Sequence, residues 1–337
     1  MEHIPFLVKL NSTYILFMTV LLASLILISS STSWLGMWMG LEVNLMSFIP
    51  LLMGSESYSK STSSMKYFLI QSLGTTFLLI AIFSAIHPNQ ESTRMQELCL
   101  SAGLLMKLGS SPFHFWLPSI MENTSWMNCF LIMTSQKLGP IIAISNLMDT
   151  KFMLPIISLN LMVGTLGSLN QNSLRKLMAY SSINHTGWIL TAVAESTTCW
   201  ILYFSTYMIL SLTLILTFFF MNTYFISQWI NNSMKPSHSL WMITCFLSMG
   251  GLPPLIGFFP KWLILENILM LKYYLIVMML ITASLMSLFF YLRISFAIMF
   301  IFTSSMKMNM WKMKMTNNLM TIAWLQTILL VILPIIM

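Results

Sequence analysis

Apolar segments of about twenty residues follow one another along almost the whole chain, separated by short loops rich in Ser, Asn and Lys. Charged residues make up 7% of the 337 residues, whereas soluble proteins carry about 25%. The segments are continuous apolar runs, and they lack the alternation of polar and apolar positions that a membrane β-barrel requires. The sequence therefore predicts an all-α polytopic membrane protein and excludes a soluble globular domain.

We predict about eleven transmembrane helices, because a helix needs about 20 apolar residues to cross the hydrocarbon core. The predicted spans run near residues 10–29, 34–53, 66–86, 96–117, 125–147, 152–170, 174–194, 199–225, 239–265, 273–300 and 318–336. The longest loops lie near 54–65, 226–238 and 301–317. We expect residues 1–337 to form a single transmembrane domain.

The basic residues of the loops predict the orientation of the chain, and they do not form the dense patch beside aromatic residues that nucleic-acid binding requires. With the N-terminus inside, the inner loops contain Lys9, Lys60, Lys66, Arg175, Lys176, Lys235, Lys307, Lys312 and Lys314. The only basic residues of the outer loops are Arg94, Lys151 and Lys272. The positive-inside rule then places the N-terminus inside and, after eleven predicted spans, the C-terminus outside.

Two segments contain residues that interrupt a helix, near 107–118 and near 250–262. These residues are Gly109 and Pro112 in the first segment and Gly251, Pro253 and Pro254 in the second. Proline removes a backbone donor, and glycine adds backbone freedom. Paired broken helices in two halves of a chain are typical of a transport site. Two unrelated proline kinks are the alternative.

Long apolar runs are each interrupted by a charged residue at Glu42, Lys107, Lys137 and Lys261. A charge at mid-membrane costs about 3 kcal/mol on insertion scales, so such residues usually face a partner or a water-filled path. Buried lysine also releases its proton readily. The four residues therefore indicate a proton or cation pathway in which Lys107 is a plausible partner of Glu42. A static ion pair that fixes helix register is the alternative.

Polar residues near these charges could extend the pathway. His114 and His185 are candidates because histidine titrates near physiological pH. Ser135 and Gln136, which precede Lys137, could hydrogen-bond water. A histidine in a membrane helix can equally be a hydrogen-bonded packing residue. The Gly139-Pro140 step is expected to kink this helix.

No motif for a bound cofactor or metal occurs in the sequence. The four cysteines form no CxxC pair, which argues against zinc or iron–sulfur ligation. Neither a GxGxxG fingerprint nor a GxxxxGK[ST] phosphate loop is present. We therefore expect no cofactor in this chain and an energy source that arrives through a partner protein.

The 33 methionines are unusual for a chain of this length. Such richness is typical of animal mitochondrial genomes, in which a second codon is read as Met. The N-terminus lacks both a cleavable signal and an Arg-rich amphipathic transit peptide. We therefore expect a protein that is synthesised inside the organelle.

Several stretches resemble one family, the antiporter-like membrane-arm subunits of mitochondrial NADH–ubiquinone oxidoreductase, respiratory complex I. The resemblance covers nearly the whole chain. The stretches are Trp38 to Asn44, Leu105 to Trp116, Gln136 to Pro140, Leu169 to Trp188 and Gly250 to Trp262. Departures from the family pattern occur at Ser110, Ser111, Asn123 and Ser135, and none of them removes a titratable group.

The resemblance implies two inverted five-helix repeats, near 34–147 and 152–300, each with a broken helix, followed by a terminal helix near 318–336. It implies that Glu42 and Lys107 form a glutamate–lysine pair, that Lys137 is the central lysine, and that Lys261 is the lysine of the second broken helix. It also implies neighbouring antiporter-like subunits and lipids as partners in the mitochondrial inner membrane. NADH, FMN, iron–sulfur clusters and ubiquinone would be bound by other subunits.

The function that follows from this resemblance is redox-coupled proton translocation, with the electron transfer performed elsewhere in the complex. Two alternatives remain at this point. One is a stand-alone monovalent cation/proton antiporter, although the chain lacks an obvious carboxylate pair for sodium. The other is a structural scaffold whose buried charges only fix helix packing.

Overall fold

The structure is a computed structural model that describes residues 12–54, 58–85, 90–147, 150–228 and 236–306. Within these ranges the chain is helical apart from one isolated bridge between Ser173 and Phe225. This confirms the prediction of an all-α protein. The chain divides into two compact units, Met1–Met148 and Asp149–Met337.

The first unit contains seven helices in its described residues. They are α1 (Ser12–Ser30), α2 (Trp34–Met53), α3 (Tyr58–Ser84), α4 (Gln90–Leu108), α5 (Trp116–Met121), α6 (Trp126–Met133) and α7 (Ser135–Ser145). Helix α2 packs against α1 and α3, and α4 packs against α3 and α7. This packing brings the helices that carry Glu42, Lys107 and Lys137 into one bundle.

The second unit contains six helices in the part that the structure describes. They are α8 (Thr150–Leu169), α9 (Leu174–Glu195), α10 (Thr197–Met221), α11 (Pro236–Gly250), α12 (Phe258–Met270) and α13 (Tyr274–Met306). Helix α9 contacts α8, α10, α12 and α13, so it occupies the centre of this unit. Its buried residues run almost without interruption from Leu174 to Val193.

Six helical segments of the described chain are long and apolar enough to cross a membrane. They are Ser12–Ser30, Trp34–Met53, Tyr58–Ser84, Trp126–Ser145, Thr197–Met221 and Tyr274–Met299. Shorter apolar helices lie at Met153–Leu169 and Ser239–Gly250. The protein is therefore an integral, polytopic membrane protein. The predicted terminal helix near 318–336 lies outside the described residues.

Helix α3 begins at Tyr58, so much of the loop predicted near 54–65 is helical. The serines and threonines that suggested a loop donate hydrogen bonds to the helix's own backbone. Ser61, Thr62, Ser63 and Ser64 each donate to the carbonyl three residues earlier. Such local bonds satisfy polar side chains inside a helix, and this is why the loop prediction was wrong here.

Close helix packing in the second unit depends on small residues. A methyl group added at Gly164 of α8 would lie 2.5 Å from the backbone nitrogen of Asn184 in α9. One added at Gly187 of α9 would lie 2.9 Å from Leu161 Cδ2 in α8. Glycines at an interface let two membrane helices approach closely. They hold the polar middle of α9 against α8.

Candidate functional site

Helix α4 ends at Leu108, and α5 begins at Trp116. Gly109 has a φ of 66°, a left-handed conformation that side chains other than glycine rarely adopt. A methyl group there would also lie 2.9 Å from the side chains of both Trp116 and Leu117. The non-helical segment therefore requires glycine at this position for two independent reasons.

The break releases carbonyl groups in the last turn of α4, and three of them accept hydrogen bonds from nearby groups. Ser110 N and Oγ donate to Leu105 O, Gly109 N and Trp116 Nε1 donate to Met106 O, and Gln71 Nε2 donates to Lys107 O. An unsatisfied carbonyl inside a membrane is costly, because lipid offers no donor. The protein thus stabilises a broken helix next to Lys107 with its own side chains.

Lys107 lies in the last turn of α4 and is 4% exposed. Its stem passes over Gly74 of α3, where an added methyl group would lie 3.2 Å from Lys107 Cγ. The same methyl group would lie 3.1 Å from Gly103 O, and one added at Gly103 would lie 2.7 Å from Gly74 O. Two facing glycines therefore bring α3 and α4 together and fix the path of the lysine side chain.

Glu42 lies on α2 and is half-buried. Its carboxylate is near enough to exert a coulombic attraction on Lys107. In the described residues, the two groups do not form an ion pair within 4 Å. The pair is therefore an electrostatic coupling across a gap, and a small movement of either helix would change its strength.

Lys137 is 1% exposed and follows Gln136 on α7. Gln136 Oε1 accepts a hydrogen bond of 2.8 Å from Tyr67 OH on α3. Its Nε2 donates over 3.2 Å to Asn44 Oδ1 on α2. Gln136 thus joins three helices beside the buried lysine. Sequence reasoning expected it to bind water and did not identify Tyr67 or Asn44.

The helix that carries Lys137 is interrupted earlier than predicted. Regular helix stops at Met133 and resumes at Ser135, and Thr134 has φ −116° and ψ −81°. We expected the kink at Gly139-Pro140. Proline cannot donate to the carbonyl four residues before it and distorts the preceding turn, so the irregularity appears on the N-terminal side of Pro140. Ser135 Oγ donates to Leu131 O across this irregularity.

His114 lies in the segment between α4 and α5, and its ring packs on Phe115 at 4.1 Å between centroids. Its Nδ1 is buried without a hydrogen bond of regular geometry, and the backbone of Pro112 interacts with the ring. His114 therefore lies next to the broken helix as a titratable group with a backbone neighbour.

The second break lies between α11, which ends at Gly250, and α12, which begins at Phe258. Gly251 has a φ of 83°, and a methyl group there would lie 3.0 Å from Lys261 Nζ. Gly251 N donates to both Leu247 O and Ser248 O at 3.1 Å. Glycine is therefore needed here both for the turn and to leave room for the lysine head group.

Lys261 is 5% exposed and reaches back to the end of α11. Its Nζ donates to Gly250 O at 2.9 Å and to Met249 O at 3.3 Å, and it lies 5.7 Å from the centroid of the Trp188 ring. The C-terminal end of a helix carries a partial negative charge that favours a cation. Lys261 therefore caps the broken helix, a structural role that sequence reasoning did not anticipate.

His185 lies on α9 within a cluster of buried aromatic side chains. Its Nδ1 is 2.8 Å from the Tyr203 hydroxyl on α10, and its ring lies 4.9 Å from that of Tyr207. The Tyr203 ring stacks on Trp188, with 6.2 Å between centroids, and Trp188 in turn faces Lys261. The side chains of α9 and α10 thus connect His185 to Lys261 through direct contacts.

Three tyrosines near His185 were missed by sequence reasoning: Tyr203, Tyr207 and Tyr291. The hydroxyl groups of Tyr207 and Tyr291 are buried, and they lie beside the side chains of Ser182 and Ser181 on α9. The spacing of Tyr203 and Tyr207 by four residues puts both on one face of α10. That spacing, together with the polar stretch of α9, could have indicated from the sequence that these tyrosines lie near His185.

The described residues contain no group of three or more His, Cys, Asp or Glu side chains that could hold a metal ion. The chemistry available in the two units is therefore acid–base chemistry of lysine, glutamate, histidine and tyrosine. The first unit brings together Glu42, Lys107 and the Gln136 hydrogen bonds. The second unit brings together Lys261 and the cluster around His185.

Comparison with known proteins identifies the family. The family described as "NADH:quinone oxidoreductase/Mrp antiporter, TM" matches residues 31–287. The chain is 41% identical over 310 residues to "NADH-ubiquinone oxidoreductase chain 2" of Anopheles gambiae, covering 90% of each chain. It is 39% identical over 292 residues to the protein of the same name from Locusta migratoria, covering 85% of each.

Solved structures share the fold at lower identity. A chain of respiratory complex I from Thermus thermophilus with bound aureothin has a TM-score of 0.78 and 21% identity, covering 86% of this chain and 71% of that one. A chain of the Mrp complex from Dietzia has a TM-score of 0.73 and 18% identity, covering 82% of this chain and 59% of that one. The chain therefore belongs to the NADH:quinone oxidoreductase/Mrp antiporter family and is an antiporter-like membrane-arm subunit of the proton-pumping NADH:ubiquinone oxidoreductase.

Proposed function

We propose that this subunit moves protons along its own buried titratable side chains. The relay comprises Glu42, Lys107 and Lys137 in the first unit and Lys261 in the second. His114 and His185 extend it, and Gln136 and Ser135 support it. Electron transfer from NADH to ubiquinone takes place in other subunits. It affects this chain by changing the electrostatic field around the buried side chains.

The observation that carries the proposal is the burial of three lysines, with exposures of 4%, 1% and 5% for Lys107, Lys137 and Lys261. Each lies beside an interruption of a helix. Burial disfavours the charged form of lysine, so an amine in such a site can exist in both protonation states. A purely structural cation would be served better by arginine, which does not lose its proton.

In the first unit, the Glu42 charge favours the protonated form of Lys107. Because no direct ion pair locks the two groups, a shift of α2 relative to α4 weakens the attraction and releases the proton. The Tyr67–Gln136–Asn44 hydrogen bonds hold α3, α7 and α2 in register while this change occurs. In our proposal, Lys137, which follows Gln136 in the sequence, is the next residue to accept the proton.

In the second unit, the two carbonyl groups that accept from Lys261 match the two N–H groups of a neutral amine. The third N–H of the ammonium form is stabilised by the Trp188 ring face and by the end of α11. Lys261 can therefore exchange a proton without leaving its site. The His185–Tyr203 hydrogen bond offers the neighbouring donor and acceptor.

The proposal includes the finer architecture that the resemblance implies. The chain would have about eleven spans, including a terminal helix near 318–336, and two inverted five-helix repeats. It would lie in the mitochondrial inner membrane with its N-terminus in the matrix and its C-terminus in the intermembrane space. Neighbouring antiporter-like subunits and lipids would surround it, with no cofactor held by this chain and no nucleic acid bound.

Glu42→Gln is expected to lower the number of protons pumped per NADH oxidised by at least about twofold, because Lys107 loses the charge that modulates it. Glu97→Gln is the matched control, since Glu97 is an exposed carboxylate on α4. Both variants are compared in reconstituted complex after full assembly has been verified. Equal proton stoichiometry in the two variants would contradict a role for Glu42 and would favour the scaffold alternative.

A further inference from the structure

An exposed arginine lies on a helix that contains no other charged residue. Arg293 belongs to α13, and the rest of that helix is apolar apart from serines, threonines and tyrosines. A charge within a membrane helix is costly, so it usually reaches a partner or the head-group region of the bilayer. Neither the proposed relay nor the family resemblance assigns a role to this side chain.

The guanidinium group of Arg293 is held at the end of α8. Its Nη2 donates a hydrogen bond to Leu169 O, the carbonyl group of the last residue of α8. Helix α8 has 20 residues and is therefore about 30 Å long, which is the thickness of the hydrocarbon core of a bilayer. The end of α8, and with it the guanidinium group, thus lies at the level of the lipid head groups.

Most of the guanidinium group remains available for a ligand. Arginine has five N–H donors, and the bond to Leu169 O uses one of them. The Arg293 side chain is exposed, and it forms no ion pair with a carboxylate of the residues that the structure describes. An exposed guanidinium group at the membrane interface can donate two parallel hydrogen bonds to a phosphate.

Exposed apolar side chains lie on the membrane side of this guanidinium group. On α8 they are Leu166 and Met162, one and two turns before the end of the helix, with exposures of 57% and 44%. On α13 they are Phe289 and Leu285, one and two turns before Arg293 on the same face, with exposures of 58% and 63%. Because α8 packs against α13, the two helices together offer an apolar surface to an acyl chain.

We propose that Arg293 binds the phosphate of an anionic phospholipid, whose acyl chains lie along the exposed apolar side chains of α8 and α13. Arg175 and Lys176 begin the next helix after a short turn, so they lie at the same end of this unit and add positive charge there. A basic surface at the head-group level attracts anionic lipids. The inference specifies one of the lipid contacts proposed above, and it does not depend on the proton relay.

The test uses the intact complex in phosphatidylcholine nanodiscs that contain increasing fractions of a phosphatidylglycerol with a photoreactive acyl chain. After illumination, mass spectrometry quantifies lipid adducts on peptides of α8 and α13. Arg293→Gln keeps a donor for Leu169 O and removes the charge, whereas Arg293→Lys keeps the charge and loses the planar fork. We expect half-maximal labelling of Arg293→Gln to require at least about fivefold more phosphatidylglycerol, with Arg293→Lys in between. A photoreactive phosphatidylcholine should label all three forms equally.

Electron cryomicroscopy of the unmodified complex tests the same site without a substitution. We expect phosphate density at the Arg293 guanidinium group that continues as acyl-chain density along α8 and α13. A carboxylate of a neighbouring subunit at this position, equal phosphatidylglycerol labelling of Arg293→Gln and the unmodified complex, or displacement of the labelling by inorganic phosphate would overturn the proposal. The number of protons pumped per NADH is expected to be unchanged in Arg293→Gln, so the lipid site and the relay can fail separately.

Discussion

Gly257→Ala is expected to prevent assembly of the subunit into the complex. A methyl group at this position would overlap Ser248 O, a backbone atom that cannot rotate away. The carbonyl belongs to the last turn of α11, whose end Lys261 caps. Accommodating the methyl group would separate α11 from the start of α12, so the whole second break would be lost. Assembled complex in native gels should fall to a small fraction of the unmodified level.

Gly250→Ala provides the matched control for this substitution. A methyl group at Gly250 would lie 3.5 Å from Tyr291 Cδ2, which is an ordinary van der Waals distance. Both changes add one methyl group within the same break. Normal assembly of the Gly257→Ala variant, or equal losses in both, would show that the close approach at Gly257 is not a requirement of the fold.

Two substitutions at Lys261 are expected to separate its two roles. Lys261→Met removes the donor to the Gly250 and Met249 carbonyls, which costs about 1–3 kcal/mol for each buried group left unpaired. We therefore expect both reduced assembly and a loss of proton pumping. Lys261→Arg keeps a donor and a positive charge but cannot release its proton.

The arginine variant is expected to retain most of its assembly and to lose at least about tenfold in coupled proton transport, because the proton-transfer step is blocked. Assembly is measured by native gel and pumping by a pH-sensitive dye in reconstituted vesicles. If the assembled arginine variant pumps at the unmodified rate, Lys261 acts only as the cap of α11 and does not belong to the relay.

Much of the fold follows from hydropathy and from glycine and proline positions. Apolar runs predicted helices such as α2 and α10, and the residues Gly109 and Gly251 lie where the chain leaves the helix. Helix ends were harder to predict, because serines at the start of α3 bond to their own backbone. Hydropathy treats such residues as loop-forming whether or not their hydroxyl groups are satisfied.

The partners of the buried charges could not be predicted from the sequence. The stem of Lys107 is held by glycines of α3 and α4, and Lys261 donates to backbone carbonyls of another helix. Both contacts depend on three-dimensional packing between segments distant in sequence. The same holds for Gln136, whose partners Tyr67 and Asn44 lie 69 and 92 residues away.

Lys137→Ala in the fully assembled, reconstituted complex tests the central claim most directly. The measurement is the number of protons pumped per NADH oxidised, together with the coupled turnover rate. A relay through Lys137 predicts that the stoichiometry or the coupled rate falls, because the most deeply buried of the three lysines can no longer carry a proton. Unchanged stoichiometry and rate in an intact complex would contradict the relay and leave Lys137 with a structural role.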